Sequence, residues 1–393
     1  MDDPSRRAFL GTLAAGGGLA VSGAAAATSD GHAAGTDVAP ASEFVRTIPR
    51  RAGAPQAFTA SLDGGRIKAT SGGWARDVTT NQLPLAAGIA GAHLFLNPGG
   101  VREMHWHAAA EWGYVVDGRC RATVIDPEGE MEVVTFAPGD TWFFAAGHAH
   151  AIEALGPTAC HAILAFDDGL YGEHGTFGLT DWMSRFEPAV LAGALGVPET
   201  CLADLPGGEA YIAQGPLVDL DAALAGERLL GPERTHRYAL AANAPRAQGE
   251  GSALHVAPAR VFPAAQTLTG FLARLAPGAI HAPHWHANAN EWAYLVRGRA
   301  RVTLFGTDKR MATADLAPGD CAYIPRSCGH SVQSIGTETC EIVGVHDSGV
   351  YAESSLSTWL AQVPRSLLAA NLGVSEAVAA AFPPRPVVFG RSA

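Results

Sequence analysis

The chain contains an internal repeat whose two copies lie about 180 residues apart. The tripeptide His-Trp-His occurs at residues 105–107 and again at residues 284–286. A glutamate follows each tripeptide, and Glu111 and Glu291 are separated by 180 positions. Gly139 and Gly319, which lie in Ala-Pro-Gly-Asp motifs, are also separated by 180 positions. The later histidines His150 and His330 have the same separation. Because the offset is so constant, we expect two similar domains in tandem.

Each copy places histidines and one carboxylate in a pattern suited to a metal ion. On a β-strand, residues i and i+2 point to the same face, so His105 and His107 share a face. Glu111 follows after three residues, which lets a short turn return its carboxylate to the same centre, and His150 is the candidate fourth ligand. Satisfied or surface histidines would explain one such pair, but the recurrence favours metal binding. The predicted ligand sets are His105, His107, Glu111 and His150, and His284, His286, Glu291 and His330.

Short apolar runs broken by glycine and proline lie between the ligand motifs. Residues 113–125 and 293–305 both predict two strands that meet at a glycine-centred turn. Many short strands at this spacing indicate a sandwich or a barrel. A helical segment is predicted after each set of strands, at residues 181–205 with Thr180 as a possible N-cap, and at residues 357–381. The expected fold class is therefore all-β with peripheral helices.

The glycines around the ligands add a second pattern. Gly99 and Gly118 flank the first three ligands of the first copy, and Gly139 precedes His150. The second copy repeats this arrangement with one extra residue before Glu291. Both copies resemble the two-part cupin signature, and two cupins with His-Trp-His in one chain are similar to the bicupin oxalate decarboxylases.

The resemblance extends over residues 57–372 and implies two tandem jelly-roll β-barrels, each followed by a helical segment. The usual proline and asparagine of the second half-motif are replaced by Ala145 and Ala154 in the first copy, whereas Pro325 is kept in the second. These positions shape a turn rather than bind metal. In the family, the helices clasp neighbouring subunits, which implies a homo-oligomer, either a trimer or a hexamer.

The resemblance also implies a reaction, the manganese- and dioxygen-dependent decarboxylation of oxalate to formate and CO2. Nitrogen and oxygen donors without thiolate suit manganese, iron or zinc, so the residues alone leave the metal open. The family implies Mn2+, two per chain. Arg102 precedes His105 by three residues, and its fixed charge suits a small carboxylate substrate. The alternative interpretation of Arg102 is a surface arginine.

A glycine-rich segment at residues 166–177 has a composition suited to a mobile lid. In the family, a glutamate in this lid delivers the proton, and Glu173 matches it. The usual Ser-Glu-Asn-Ser-Thr is Gly-Glu-His-Gly-Thr here, at residues 172–176. If Glu173 protonates the carbon that remains after loss of CO2, the product is formate. Without a positioned acid, the products are a second CO2 and hydrogen peroxide.

The two copies differ in ways that predict a main catalytic site in the first domain. His281 stands where the first copy has Arg102, although the family has arginine in both copies. Gly344 replaces a downstream glutamate of the family. Glu353 is a possible substitute acid, but its lid is shorter, and a solvated loop residue is the simpler interpretation.

Three other functions fit parts of the pattern. Oxalate oxidase, which gives CO2 and hydrogen peroxide, differs from the decarboxylase by the glutamate of the lid. A manganese or iron bicupin dioxygenase of flavonols or diketones would need a larger apolar pocket and has no need for Arg102. A non-catalytic metal-binding bicupin, for storage or sugar binding, is disfavoured because such proteins tend to lose their ligands and both sets are complete here.

The N-terminus predicts export. Arg6 and Arg7 precede small and apolar residues with no further charge through Ala27, which is typical of a twin-arginine signal peptide. A membrane anchor would need about 20 strongly apolar residues, and this run is too weak. The predicted organisation is a signal peptide at 1–27, a disordered linker at 28–55, cupin domain 1 at 56–215 and cupin domain 2 at 216–393. The mature protein is expected to be periplasmic or secreted, with no membrane association.

The overall composition limits the partners. A net charge of −11 argues against binding to nucleic acid. None of the six cysteines forms a Cys-x-x-Cys pair, and Cys160 and Cys340 occupy equivalent positions in the two repeats. We therefore expect free, buried cysteines with no catalytic role.

Overall fold

The structure is a computed structural model that describes residues 57–172, 175–306 and 309–391. The predicted signal peptide at 1–27 and linker at 28–55 lie outside the described residues. Glu173 and His174 of the predicted lid also lie outside them.

Short strands dominate the described part of the chain. Those of the first half are β1 (Thr59–Ser61), β2 (Arg66–Thr70), β3 (Gly73–Val78), β4 (Ala90–Leu96), β5 (Gly100–Trp106), β6 (Glu111–Asp117), β7 (Cys120–Ile125), β8 (Met131–Phe136), β9 (Thr141–Phe144), β10 (Ala149–Ala154), β11 (Cys160–Phe166), β12 (Phe177–Gly178) and β13 (Ile212–Gln214). Those of the second half are β14 (Arg237–Tyr238), β15 (Ala247–Gly249), β16 (Ser252–Ala257), β17 (Thr269–Leu275), β18 (Ala279–Trp285), β19 (Glu291–Arg297), β20 (Ala300–Phe305), β21 (Met311–Leu316), β22 (Asp320–Ile324), β23 (Gly329–Ser334), β24 (Cys340–His346), β25 (Ser354–Ser355) and β26 (Phe389–Arg391).

The strands form two barrels, each built from two antiparallel sheets. In the first barrel, seven strands follow the order β14-β9-β6-β11-β4-β3-β2, and the facing sheet follows β12-β5-β10-β7-β8 with β13 beside β5. In the second barrel, the corresponding orders are β1-β22-β19-β24-β17-β16-β15 and β21-β20-β23-β18-β25 with β26 beside β18. The predicted fold of two tandem β-barrels with peripheral helices is confirmed.

Each barrel is completed by a strand from the other half of the chain. The early strand β1 pairs with β22 of the second barrel, where Thr59 lies opposite Ala322. The later strand β14 pairs with β9 of the first barrel, where Arg237 lies opposite Trp142. The predicted boundary between residues 215 and 216 stays a prediction. Each barrel includes a strand whose sequence lies on the other side of that boundary.

The apolar core has a part inside each barrel and a part between the barrels. At the interface, Trp112 and Trp292 are almost completely buried. A Cβ atom at Gly270 would lie 2.2 Å from Nε1 of Trp112, and one at Gly91 would lie 2.0 Å from Cζ2 of Trp292. Each indole therefore packs directly against the backbone of a glycine, at a position where any larger residue would clash with the ring.

Helices follow each barrel, as predicted, but as short separate pieces. After the first barrel they are α1 (Leu179–Ser184) and α2 (Pro188–Leu195), and a short α3 (Leu220–Ala225) follows. After the second they are α4 (Leu356–Gln362), α5 (Arg365–Leu372) and α6 (Glu376–Ala380). No helix in the described part of the chain is long and apolar enough to cross a membrane.

The predicted N-cap at Thr180 is wrong, because helix α1 begins at Leu179, two residues earlier than predicted, and its N-cap is Gly178. Thr180 instead donates from its backbone N–H and its hydroxyl to Oε2 of Glu103, at 2.9 and 2.7 Å. The other oxygen of Glu103 accepts the backbone N–H of Tyr211 at 2.7 Å. A buried carboxylate on β5 thus holds the helix start and the β13 segment beside the barrel.

All six cysteines are free, as predicted. Five are buried, and Cys201 is exposed, so the prediction of buried thiols is wrong for that residue.

Candidate metal centres

The first centre lies inside the first barrel, where three strands bring the predicted ligands together. His105 is near the end of β5, and the register of β5 and β10 places His150 directly opposite it. Glu111 begins β6, and His107 lies in the short connection between β5 and β6. The four ligand atoms lie within 4.8 Å of one another, and all four residues are buried. The predicted grouping of these four side chains is therefore present in the structure.

Backbone carbonyls orient the three imidazoles. Nδ1 of His105 contacts the carbonyl of Glu103 at 2.7 Å, and Nδ1 of His107 contacts that of Ala109 at 2.6 Å. Nδ1 of His150 contacts the carbonyl of His148 at 2.9 Å. A carbonyl can only accept, so each Nδ1 carries the proton and each Nε2 presents a lone pair to the centre.

The electrostatics favour a neutral His105 beside an ionised Glu111. Burial, followed by the charge of Arg102, holds the pKa of His105 well below its ordinary value. Burial opposes ionisation of Glu111, but the neighbouring imidazoles of His107 and His150 outweigh it and lower the pKa of Glu111. Nε1 of Trp142 donates to Oε1 of Glu111 at 2.8 Å and fixes the plane of the carboxylate.

These residues fit a divalent metal ion. Nε2 of His105 is buried and has no hydrogen-bond partner among the described residues, which is costly unless a cation occupies its lone pair. Oε2 of Glu111 lies 3.3 Å from Nε2 of His107 and 3.4 Å from Nε2 of His150. Donors at right angles around an ion with bonds of about 2.1 Å lie roughly 3 Å apart. The four donors leave two octahedral positions open.

The second centre repeats this arrangement in the second barrel. His284 on β18 lies opposite His330 on β23, and Glu291 begins β19. Oε2 of Glu291 lies 3.2 Å from Nε2 of both His286 and His330. The ligand atoms of His284, His286, Glu291 and His330 lie within 4.8 Å of one another.

Further ionisable groups surround the second centre and were missed by the sequence analysis or given little weight. His346, the last residue of β24, is buried with Nε2 3.3 Å from Oε2 of Glu291. His281 lies 3.9 Å from the carboxylate of Glu353, which also accepts a hydrogen bond from the hydroxyl of Tyr351. The ligand atoms of His281, His284 and Glu353 also lie within 4.8 Å of one another.

Comparison with known proteins agrees with this duplicated geometry. The profile of the cupin family matches residues 61–200 and 238–380. The oxalate decarboxylase OxdC of Bacillus subtilis (strain 168) is 35% identical over 309 residues, covering 78% of this chain and 79% of the relative. The chain belongs to the bicupin oxalate decarboxylase family.

Further comparisons extend this similarity to a second sequence relative and to solved structures. A probable oxalate decarboxylase of Arthroderma benhamiae is 31% identical and covers 77% of this chain and 75% of the relative. A mutant structure of Bacillus subtilis OxdC matches with a TM-score of 0.81 and 32% identity, covering 87% of this chain and 90% of that one. Another structure of that enzyme, which concerns its Mn(II) centres, matches with a TM-score of 0.81 and 31% identity over the same shares.

In this bicupin, Arg102 lies inside the first barrel and not at the surface. Its side chain is completely buried, and its guanidinium lies 4.3 Å from the ring centroid of Tyr211. Nη1 donates to the carbonyl of Tyr211 at 3.2 Å, and Nη2 donates to the hydroxyl of Thr176 at 2.9 Å. A permanent positive charge is thus held beside the first centre, where it lowers the pKa of His105. The alternative of a surface arginine is wrong.

Both flanks of the predicted lid contact the first centre. Before Glu173, the ring of Tyr171 lies 4.9 Å from that of His107. After it, Thr176 bonds to Arg102, and Phe177 stacks on Trp106 with ring centroids 4.5 Å apart. The position of Glu173 itself lies outside the described residues, so its role stays a prediction.

The second barrel of the bicupin differs at the place of Arg102. His281 occupies that position, and burial lowers its pKa to about 4, although the charge of Glu353 opposes this effect. A Cβ atom at Gly344 would lie 2.0 Å from the carbonyl oxygen of Trp292, so a glutamate has no room there. The second barrel therefore has no permanent positive charge at the position equivalent to Arg102.

Proposed function

We propose that this bicupin is a manganese-dependent oxalate decarboxylase that converts oxalate and a proton to formate and CO2, with its principal site at the first centre. The observation that carries the proposal is the permanently charged, buried Arg102 beside the buried ligands His105, His107, Glu111 and His150. The charge of Arg102 suits a small dicarboxylate that enters a buried site.

When bound, manganese supplies a redox-active Lewis acid, with two open positions for small ligands, so that oxalate can lose one electron and regain it. We propose dioxygen as the electron acceptor during turnover, on the basis of the family resemblance. The reaction breaks the C–C bond and forms a C–H bond, so oxalate undergoes no net oxidation.

The residues of this chain divide the remaining tasks. Arg102 binds a carboxylate of the substrate, and its hydrogen bond with Thr176 orients the guanidinium. Trp142 holds the carboxylate of Glu111 in the orientation that keeps Oε2 toward the centre. The general acid is Glu173, which donates the proton to the carbon that becomes formate.

Oxalate oxidase is the second candidate, because the segment around Glu173 departs from the family pattern at Gly172, His174 and Gly175. If these changes remove the acid from the carbon, oxalate would lose both electrons to oxygen. The products would then be two molecules of CO2 and one of hydrogen peroxide.

One experiment separates these functions. Manganese-loaded protein is supplied with oxalate and oxygen, and formate and hydrogen peroxide are quantified in the same sample. A large excess of formate is expected. A predominance of peroxide would identify an oxidase, and the absence of both products would favour a non-catalytic metal-binding bicupin. Glu111→Gln, which weakens the first centre, is the matched control for adventitious manganese.

We also propose that the bicupin forms a homo-oligomer, a trimer or a hexamer, through the helices outside the barrels. These helices expose large apolar side chains, including Trp182 and Phe186 near the first barrel and Trp359 near the second. Exposed apolar clusters of this kind favour association. Light scattering coupled to size-exclusion chromatography measures the mass, and a monomer in dilute solution would contradict this proposal.

Finally, we propose export through the twin-arginine pathway to the periplasm or the medium. The support is the Arg6-Arg7 pair followed by an uncharged run through Ala27. Replacing both arginines with lysine is expected to retain the protein in the cytoplasm, and cell fractionation measures this. Unchanged export of that variant would contradict the proposed route.

A further inference from the structure

We propose that His346 is a fifth protein ligand of the ion in the second centre. The second centre would then have one open coordination position, whereas the first has two. The inference rests on the proposed function in taking the ion to be manganese.

The position of His346 follows from strand register. In the second barrel, β19 and β24 pair so that His346 lies opposite Glu291. In the first barrel, β6 and β11 pair so that Phe166 lies opposite Glu111. The two centres therefore differ at one equivalent position, which holds an imidazole in one and a phenyl ring in the other.

The distances place His346 beside Glu291 and His286, although it lies outside the group of four residues whose ligand atoms are all within 4.8 Å of one another. Its Nε2 lies 3.3 Å from Oε2 of Glu291 and 3.2 Å from Nε2 of His286. The corresponding distances from Glu291 to His286 and to His330 are both 3.2 Å. All of these separations are near the roughly 3 Å expected for neighbouring donors on an ion with bonds of about 2.1 Å.

The close approach of two imidazole nitrogens also points to a shared ion. Nδ1 of His286 contacts the carbonyl of Ala352 at 2.9 Å, so it carries the proton and Nε2 presents a lone pair. A second Nε2 lone pair from His346, 3.2 Å away, would repel it. A cation bound by both nitrogens removes this repulsion. The other arrangement is a proton on Nε2 of either His286 or His346, donated to Glu291, which would make His346 a positioning residue and not a ligand.

A fifth ligand has a functional consequence. An ion held by four imidazoles and one carboxylate has one octahedral position left, so oxalate could bind there through one oxygen only. The first centre can accept two donor atoms at once. The two centres would therefore differ in substrate binding because of His346, in addition to the replacement of Arg102 by His281.

The test compares His346→Phe, which gives the second centre the residue found in the first, with the parent chain. Both are studied in a Glu111→Gln background, so that the second centre dominates Mn2+ binding. Titration with Mn2+ alone, followed by the electron paramagnetic resonance signal of the free ion, gives the Kd. We expect His346→Phe to raise the Kd of the second centre by about 100-fold or more, above the range of about 10- to 100-fold for loss of a residue that only positions a ligand.

Pulsed electron paramagnetic resonance of bound Mn2+ counts the coordinated imidazole nitrogens directly. We expect four in the parent second centre and three in His346→Phe. Three in the parent, or an unchanged Kd in the variant, would overturn the proposal and leave His346 as a hydrogen-bond donor to Glu291. The reciprocal variant Phe166→His, in a Glu291→Gln background, is expected to add one nitrogen to the first centre.

Two controls keep the interpretation unambiguous. His346→Phe with Glu111 intact should keep the Mn2+ affinity of the first centre, which shows that the variant folds. The spectroscopic count requires bound Mn2+ but no turnover. Four coordinated nitrogens in the Glu111→Gln chain, together with no formate from the chain in which Glu111 is intact, would support the fifth ligand and contradict the proposed function, so the two failures are distinguishable.

Discussion

Arg102 and Thr176 are joined by a hydrogen bond of 2.9 Å from Nη2 to the threonine hydroxyl. The arginine is buried on β5 beside the first centre, and the threonine lies in the segment that follows Glu173. The proposed substrate-binding charge and the proposed lid are therefore connected directly.

Removal of this hydrogen bond should impair catalysis without removing the charge. Thr176→Val keeps the shape of the side chain but leaves Arg102 without the hydroxyl. We expect kcat/KM for oxalate to fall about 10- to 100-fold, the scale of one lost hydrogen bond to a charged group. Steady-state formate production measures the effect, with Thr158→Val on an exposed turn as the control. Equal rates for Thr176→Val and the parent would show that the hydrogen bond has no part in turnover.

The proton donor can be tested at Glu173. Because Gln cannot donate a carboxylic acid proton, Glu173→Gln should reduce formate production by about 10²-fold or more. Some hydrogen peroxide should still form. The neighbouring His174→Ala is the matched control and should retain most formate production. If Glu173→Gln keeps the formate yield and His174→Ala loses it, His174 is the acid.

Unequal roles for the two centres predict unequal effects of equivalent mutations. Glu111→Gln should lower Mn2+ affinity at the first centre about 10- to 100-fold and remove most oxalate decarboxylation. Glu291→Gln should spare most of it, because Arg102 and the first ligand set remain. Activity and metal content are measured together in both variants. A Glu291→Gln protein that keeps first-centre manganese yet loses as much activity would show that the catalytic centre is misassigned.

The carboxylate of Glu132 predicts a pH-dependent contribution to stability. It is buried on β8 and accepts hydrogen bonds from the backbone of Leu230, the hydroxyl of Thr235, and both the backbone and Nδ1 of His236. Burial opposes ionisation, but hydrogen bonds from His236, Thr235 and Leu230 outweigh it and lower the pKa of Glu132. A lowered pKa stabilises the fold above the unfolded value of about 4.3, and this stabilisation is lost as pH falls through the folded value.

Glu132→Gln should therefore reduce the free energy of unfolding by about 2–3 kcal/mol at neutral pH, and by much less below pH of about 4. Urea unfolding at a series of pH values measures the difference. Glu128→Gln, which removes an exposed carboxylate nearby, should have little effect at any pH. A Glu132→Gln deficit that is constant across pH would mean that the lost stability does not come from ionisation.

The ligand sets could be predicted because their geometry is local. His105 lies near the end of β5 and His107 directly follows that strand, and the offset between copies identified His150 and His330 as partners. His346 was missed because it lies on β24, outside the cupin signature, and because its counterpart is Phe166. A comparison of the two copies at the same offset contains the signal, namely a histidine that replaces a phenylalanine.

The remaining discrepancies come from contacts between distant parts of the chain. Thr180 is typical of an N-cap, but Glu103 accepts its N–H and hydroxyl from 77 positions away, so the helix starts before it. The helical segment predicted over residues 181–205 is divided at Pro188, which begins α2. The pairings of β1 with β22 and of β14 with β9 depend on the arrangement of both barrels, which no local pattern specifies.

The two tryptophan–glycine contacts between the barrels are reciprocal. Trp112 enters the space above Gly270, and Trp292 enters the space above Gly91. This is the relation found at an isologous, twofold interface, where each partner supplies the same pair of complementary surfaces. The covalent link between the barrels is therefore not what defines their pairing. Each half of the chain carries one tryptophan and one glycine of this pair of contacts, so each half contains both of the surfaces that pairing with a second copy of itself requires.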